Sequence, residues 1–228
     1  MMPLQQLFGG ILPQLVMFDL DGTLLDSVPD LTVAVDQMLA RLGRPPAGEE
    51  QVRKWVGNGV EVLVRRALAG QLDADLVDQA EVAQALPWFM AAYSGSHVLT
   101  RVYPGVLPVL QWLQARSLPM ALITNKPEQF VGPLLEEKGL GGFFRWTVGG
   151  DTLPQRKPDP AGLRHVLACA GVAAEAALFV GDSRNDVLAA RAAGVRCVAM
   201  SYGYNHGQPV AEAHPDLVLD DLRQLLAG

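Results

Sequence analysis

The chain has 228 residues, half of them apolar and 18% charged, which excludes a mainly disordered chain and supports one domain, or one domain carrying an insertion. Its 24 acidic and 18 basic residues leave a net charge of −6, which excludes a non-specific attraction to nucleic acid or anionic lipid. Two cysteines, Cys169 and Cys197, are too few for a disulfide framework or a zinc cage.

Both cysteines lie in apolar stretches and are expected to be buried free thiols, as in a reducing compartment. No apolar run reaches the ~18 residues of a membrane span, and residues 1–10 lack the basic and apolar regions of a signal peptide. The expectation is a cytoplasmic protein with no membrane or nucleic-acid partner.

The tail through about Leu12 carries no motif. Leu15-Val16-Met17-Phe18 is a short apolar run ended by Asp19 and followed by Gly22; it is too brief for a helix and reads as a buried strand. Ser27-Val28-Pro29-Asp30 has the pattern of a capping box with proline in the first turn. Leu31, Val35, Met38, Leu39 and Leu42 then recur at helical spacing. Helical patterns continue over 56–69, where Gly57, Asn58 and Gly59 make a flexible loop entry, and over 75–93. Residues 27–98 therefore read as an all-helical module inserted after the first strand. Tyr103-Pro104-Gly105 marks the return to a core made of 1–26 and 99–228.

From there helix and strand alternate. Helical segments at 106–116, 128–138, 160–170 and 185–193 are interleaved with strands at 119–123, 177–180 and 196–200, and with weaker strands at 145–148 and 216–219. Gly139, Gly171 and Gly194 close three of the helices. Short strands buried on both faces and alternating with helices predict an α/β fold. Its core is a Rossmann-like parallel sheet with right-handed crossovers, and it carries the inserted helical module as a cap.

In open parallel sheets, ligands collect beyond the carboxyl ends of the strands. Those ends here carry Asp19, Thr124 and Asp182, with Lys157 in a loop before a helix. Asp19 and Asp21 are two residues apart. On extended backbone both face one cleft, where one carboxylate attacks phosphorus and the other moves the proton. The same residues also suit an ordinary Asp-Gly turn. Thr124-Asn125-Lys126-Pro127 ends a strand and starts a helix, so it offers a hydroxyl and free N–H groups to a phosphate oxygen, or simply caps the helix. Lys157 precedes a candidate N-cap, Asp159, and is either a phosphate partner or a solvated charge.

Ser183 and Asp186 fit a capping box, which leaves Asp182 at the strand tip unexplained. A pocket of several carboxylates suits Mg²⁺ rather than zinc, since His97, His165, His206 and His214 show no ligand spacing. The four carboxylates of Asp19, Asp21, Asp182 and Asp186 exceed the charge of Mg²⁺ and Lys157 by one, a deficit that a protonated Asp21 removes.

Asp19-Leu20-Asp21-Gly22-Thr23, Thr124-Asn125, Lys157-Pro158 and Gly181-Asp182-Ser183-Arg184-Asn185-Asp186 match in order the four motifs of the haloacid dehalogenase superfamily. The chain resembles its phosphatases over nearly all residues after 12. The resemblance implies Asp19 as nucleophile, Asp21 as acid and base, and Thr124, Asn125 and Lys157 as phosphate-binding groups. It also implies Mg²⁺ held by Asp19, the Asp21 carbonyl and Asp182, with Asp186 behind them.

Asp26-Ser27-Val28-Pro29-Asp30, Val56-Gly57-Asn58-Gly59 and Ser201-Tyr202-Gly203-Tyr204-Asn205 are similar to the bacterial phosphoglycolate phosphatase family within it. That likeness implies hydrolysis of 2-phosphoglycolate to glycolate and phosphate through an aspartyl phosphate, by a monomer or homodimer whose partner is this small phosphorylated metabolite. Gly57 and Asn58 are then expected to reach the substrate and offer backbone N–H groups. Arg53, Lys54, Arg65 and Arg66 are candidate cations for its carboxylate, or else solvated helix faces.

The alternative is a phosphatase or mutase for another small metabolite such as a sugar phosphate. A dehalogenase needs no proton donor at Asp21. A nucleotide-binding module is disfavoured because neither Gly-x-Gly-x-x-Gly nor Gly-x₄-Gly-Lys-[Ser/Thr] follows a strand.

Overall fold

The computed structural model describes residues 1–95 and 97–228. One turn of helix, α1 (Pro3–Gln6), precedes β1 (Leu15–Phe18). A short β2 (Leu25–Asp26) leads into four helices, α2 (Val28–Arg41), α3 (Glu49–Trp55), α4 (Val60–Ala69) and α5 (Gln79–Tyr93), and β3 (Arg101–Val102) leads out of them. Then α6 (Val106–Ala115), β4 (Met120–Ile123), α7 (Glu128–Glu137), β5 (Trp146–Val148), α8 (Ala161–Ala170), β6 (Ala177–Gly181), α9 (Arg184–Ala193), β7 (Arg196–Met200) and β8 (Leu217–Leu219) alternate along the chain.

The six long-range strands form one parallel sheet in the order β5-β4-β1-β6-β7-β8. This is the Rossmann-like α/β arrangement that the strand and helix alternation predicts. Its central strands are apolar at every position because both faces are covered, and alternate residues serve opposite layers. Val16, Phe18, Met120, Leu122, Leu178 and Val180 pack into one core. Leu15, Met17, Ala121, Ile123, Ala177 and Phe179 pack into the other. The motif-free N-terminal tail belongs to the first layer, where Leu4 is fully buried and Leu7, Phe8 and Leu12 pack against it.

A third apolar cluster is built by α2–α5 and Val56 between them, and two residues from beyond this helical segment, Phe130 and Tyr204, enter it. The chain leaves for these helices and returns from them along β2 and β3, which pair antiparallel with Asp26 opposite Arg101.

Local expectations fail here at several points. α3 was not anticipated: it buries only Val52 and Trp55, too few apolar positions to show a period. α4 begins at Val60 rather than Val56, because residues 56–59 stay open between two glycines at positive φ. The Ser27–Asp30 capping box does not form. Ser27 makes no side-chain cap; its hydroxyl donates instead to Asp21 Oδ1 at 2.6 Å. Asp30 accepts from the backbone N–H and the hydroxyl of Thr100. A charge-assisted partner elsewhere outcompetes a local cap. Cys197 is buried and free as expected, but Cys169 is exposed, since it lies on the outer face of α8.

Candidate active site

Three adjacent strands end on one rim. β4, β1 and β6 are neighbours, and residues just beyond them, Thr124 and Asp19, and the Asp182 that follows Gly181, emerge side by side at strand spacing. The sheet ladder continues to Asp19, whose N–H donates to the Val180 carbonyl at 2.9 Å. The topology therefore brings together what the sequence separates widely.

The carboxylates of Asp19, Asp182 and Asp186 are all buried, with one oxygen from each within 4.8 Å of the others. Lys157 lies between two of them, 2.8 Å from Asp19 Oδ1 and 2.7 Å from Asp186 Oδ1. Asp186 accepts from the N–H of Asp182 and from both the N–H and hydroxyl of Ser183. Its cap role and its grip on Lys157 thus coexist.

Asp182 is held by the Thr23 hydroxyl at 2.8 Å and the Tyr204 N–H at 2.6 Å. A Cβ at Gly22, where φ is +91°, would collide with the Asp182 carboxylate and the Tyr204 ring, so only glycine lets the chain turn this close. Lys157 is buried, not a solvated charge.

Burial pushes the Asp19 carboxyl up to about 7 against the opposing pull of Lys157. Burial, then Asp186 and Asp19, push Asp182 well above the usual carboxylate range. Burial also works against the charge on Lys157, but Asp186 and Asp19 outweigh it and raise its pKa. Asp19 Oδ1, despite the nearby lysine, has no aligned hydrogen-bond partner. A buried all-oxygen donor set with an orphaned carboxylate oxygen and too little positive charge fits a hard divalent cation.

Beside this cluster is a cavity of ≈ 40 Å³ between the sheet rim and the helical module. Its rim side comprises Asp19, Asp21, Thr124, Asn125 and Lys126. Gly57, Gly59, Val60, Leu63 and Tyr93 close it from above. Thr124 keeps its hydroxyl in this turn, accepting from the Lys126 N–H at 3.2 Å.

The Asn125 side chain joins two loops. Its amide donates to the Gly57 carbonyl at 3.0 Å and the Lys157 carbonyl at 2.9 Å. Both side-chain donors are spent on backbone, so the side chain ties loops together, while the backbone N–H groups expected to face a phosphate oxygen take no part in these two bonds. Asn185 also donates to Gly57, at 3.2 Å. The loop at 56–59 thus turns the Gly57 carbonyl toward the core. Asn58 is flanked by cavity residues, but its own side chain is not part of the wall.

The four basic residues near this loop are committed elsewhere. Arg53 pairs with Glu49 at 2.7 Å and with Asp26 at 3.4 Å, and Lys54 pairs with Glu50 at 2.8 Å. Arg65 bonds Gln79 and the Val77 carbonyl. Arg66 bonds the Trp55 carbonyl at 2.6 Å. None lines the cavity.

Three groups escaped sequence reasoning: Lys126, Tyr93 and Ser27. Lys126 Nζ is 3.1 Å from Asp21 Oδ2 and 2.6 Å from the Tyr93 hydroxyl. The one available signal was the position of Lys126 inside Thr124-Asn125-Lys126-Pro127. Its ammonium also supplies a positive charge that the sequence count lacked.

Residues 13–194 match the model of the haloacid dehalogenase-like hydrolases. The chain is 65% identical over 219 residues to phosphoglycolate phosphatase 1 of Pseudomonas aeruginosa, covering 96% of this chain and 80% of that protein. It is 65% identical to the phosphoglycolate phosphatase of Pseudomonas putida, covering 98% and 82%. A crystal structure from Haemophilus somnus 129PT, described as a predicted phosphoglycolate phosphatase, superposes with a TM-score of 0.85 at 35% identity, over 93% of this chain and 96% of that one.

Proposed function

The chain belongs to the haloacid dehalogenase-like hydrolase family, and from that premise we propose that it hydrolyses 2-phosphoglycolate to glycolate and phosphate with Mg²⁺ as its metal. The observation that carries this reading is that Asp19 and Asp21 line one cavity with Thr124 at the sheet rim, beneath the 56–59 loop of the helical module. The names of the Pseudomonas relatives support the same substrate.

In this reading an Asp19 oxygen attacks phosphorus and the bond from phosphorus to the ester oxygen breaks. Asp21 gives its proton to the departing glycolate oxygen. Asp21 then takes a proton from the water that attacks the aspartyl phosphate, which releases phosphate and restores Asp19. Thr124 and Lys157 bind phosphoryl oxygens. Asp19, Asp182 and the Asp21 carbonyl hold Mg²⁺, with Asp186 behind them, and the metal supplies charge stabilisation to the phosphoryl group.

Residues 27–98 act as a cap that keeps water from the phosphoenzyme until glycolate leaves. We place the enzyme in the cytoplasm, as a monomer or homodimer acting on a small metabolite. Among the described residues no helix is long and apolar enough to cross a membrane. Phosphate release from a panel of phosphate esters, with and without Mg²⁺, tests the proposal. Metal-dependent turnover that is highest on 2-phosphoglycolate is expected; turnover highest on a hexose phosphate would overturn the substrate.

A further inference from the structure

The chemistry just described leaves one buried charge without a task. Lys126 follows β4 at the sheet rim, is 5% exposed, and is reached from both sides of the cavity. Its Nζ lies 3.2 and 3.1 Å from the two oxygens of Asp21, which belongs to the rim. It also donates at 2.6 Å to the hydroxyl of Tyr93, which ends α5 of the helical module.

Burial works against charge on this amine, but Asp21 and then Tyr93 outweigh it and hold its pKa above the ordinary lysine value. Tyr93 is itself fixed by aromatic neighbours. It stacks on Phe89 with centroids 5.8 Å apart and meets Phe130 edge-on at 5.1 Å. The ammonium is therefore held in one place by groups that do not depend on a phosphate.

We infer that Lys126, positioned by Tyr93, binds the substrate carboxylate and makes the enzyme selective for short phosphorylated carboxylic acids. This assignment rests on the proposed hydrolysis of 2-phosphoglycolate and deepens it.

Three observations carry it. A carboxylate entering a desolvated cavity needs a cation, because an unpaired buried charge is costly. The charged side chains among the described residues lining the cavity are Asp19, Asp21 and Lys126, so Lys126 is the one cation on its wall. The basic residues near the 56–59 loop, Arg53, Lys54, Arg65 and Arg66, are engaged away from it.

The second observation is reach. Two bonds separate the ester oxygen of phosphoglycolate from its carboxylate carbon, roughly 2.4 Å at ordinary bond lengths. A cation 3.1 Å from the residue that protonates that ester oxygen is within contact of the adjoining carboxylate.

The third is exchange. Asp21 and the incoming carboxylate compete for the same ammonium. A substrate carboxylate that takes Lys126 frees the Asp21 oxygens to meet the ester oxygen. An ester without that carboxylate leaves Lys126 on Asp21, so the selectivity appears in kcat as well as in KM.

The test compares 2-phosphoglycolate with ethyl phosphate, which has the same length and no carboxylate, in wild type, Lys126→Met and Tyr93→Phe. Binding of the non-hydrolysable 3-phosphonopropionate and of propylphosphonate is measured calorimetrically on the same Mg²⁺-loaded proteins. In Lys126→Met the ratio of kcat/KM between the two esters is expected to collapse by about a hundred-fold or more, as for removal of one partner of a buried charge pair. 3-Phosphonopropionate should lose its advantage over propylphosphonate, and Tyr93→Phe should lower both preferences by about three- to ten-fold.

Equal losses on both esters, with the preference for 3-phosphonopropionate intact, would show that Lys126 acts only through Asp21 and overturn the assignment. If wild type itself does not prefer phosphoglycolate, the substrate reading fails first and this inference with it. Should Lys126→Met not fold, Lys126→Gln and Tyr93→Phe carry the same comparison.

Discussion

The side-chain amide of Asn125 and the backbone carbonyl of Gly57 are hydrogen-bonded at 3.0 Å, across the boundary between the sheet rim and the helical module. The same amide holds the carbonyl of Lys157 at 2.9 Å. One residue thus joins the loop above the cavity to the loop that carries the lysine beside Asp19. Asn125→Ala leaves the Lys157 carbonyl without this donor and Gly57 with Asn185 alone. A stability loss of about 1–3 kcal/mol is expected, the cost of a buried acceptor left unsatisfied. KM for phosphoglycolate should rise with it, and Asn185→Ala, which removes one contact, should do less. Denaturant melts and steady-state kinetics read both effects; an unchanged KM in Asn125→Ala would mean that the tie does not control closure.

Asp19→Asn keeps shape and removes the proposed nucleophile. Turnover should disappear while the thermal midpoint stays near wild type, since Lys157 retains Asp186 at 2.7 Å as a partner. Activity within a few-fold of wild type would reject the role of Asp19. A stopped assay alone does not separate this from unfolding, so a thermal melt accompanies it.

Asp21→Asn retains an oxygen that accepts from Ser27 and Lys126 but cannot shuttle a proton. A loss of about 10²–10⁴-fold on phosphoglycolate is expected. An aryl phosphate, whose leaving oxygen needs little protonation, should lose much less in the first half-reaction, measured as the burst of released phenol. Equal losses on the two would assign Asp21 a purely structural part.

The metal and pH are linked through the buried carboxylates. Asp19 is raised to about 7 by burial and Asp182 is raised well above the carboxylate range. Between the unfolded value near 4 and these raised values, the folded protein holds protons that the unfolded chain has released. Stability of the metal-stripped protein should therefore fall as pH rises through that window. Mg²⁺ binds the ionised form, so it should raise the melting temperature more at about pH 8 than at about pH 5. Scanning calorimetry with EDTA and with MgCl₂ at both pH values measures it. A Mg²⁺ shift equal at the two would remove these carboxylates from the metal site.

Much of this arrangement is written locally. Four-residue apolar runs such as Leu15-Val16-Met17-Phe18 are too short for helices and have no polar face, so they declare strands covered on both sides, and their alternation with helices declares a parallel sheet. The residues at the strand ends are then bound to share a rim, which is why Asp19, Thr124 and Asp182 were identifiable as a set. What polar side chains do inside the folded protein is not local.

Ser27 and Asp30 have the spacing of a capping box, yet each finds a stronger partner, Asp21 and Thr100, once the chain is folded. The Asn125 side chain carries no sequence signal for its task, which two carbonyls brought by other loops define. Lys126 reads as one more lysine at a helix start; only packing places it against Asp21, 105 residues away in sequence, and under Tyr93. Apolar periodicity is set by neighbours along the chain and survives in the sequence. A buried hydrogen bond or ion pair goes to whichever partner the tertiary structure brings within 3 Å or so, because desolvation makes an unmet charge too costly to leave.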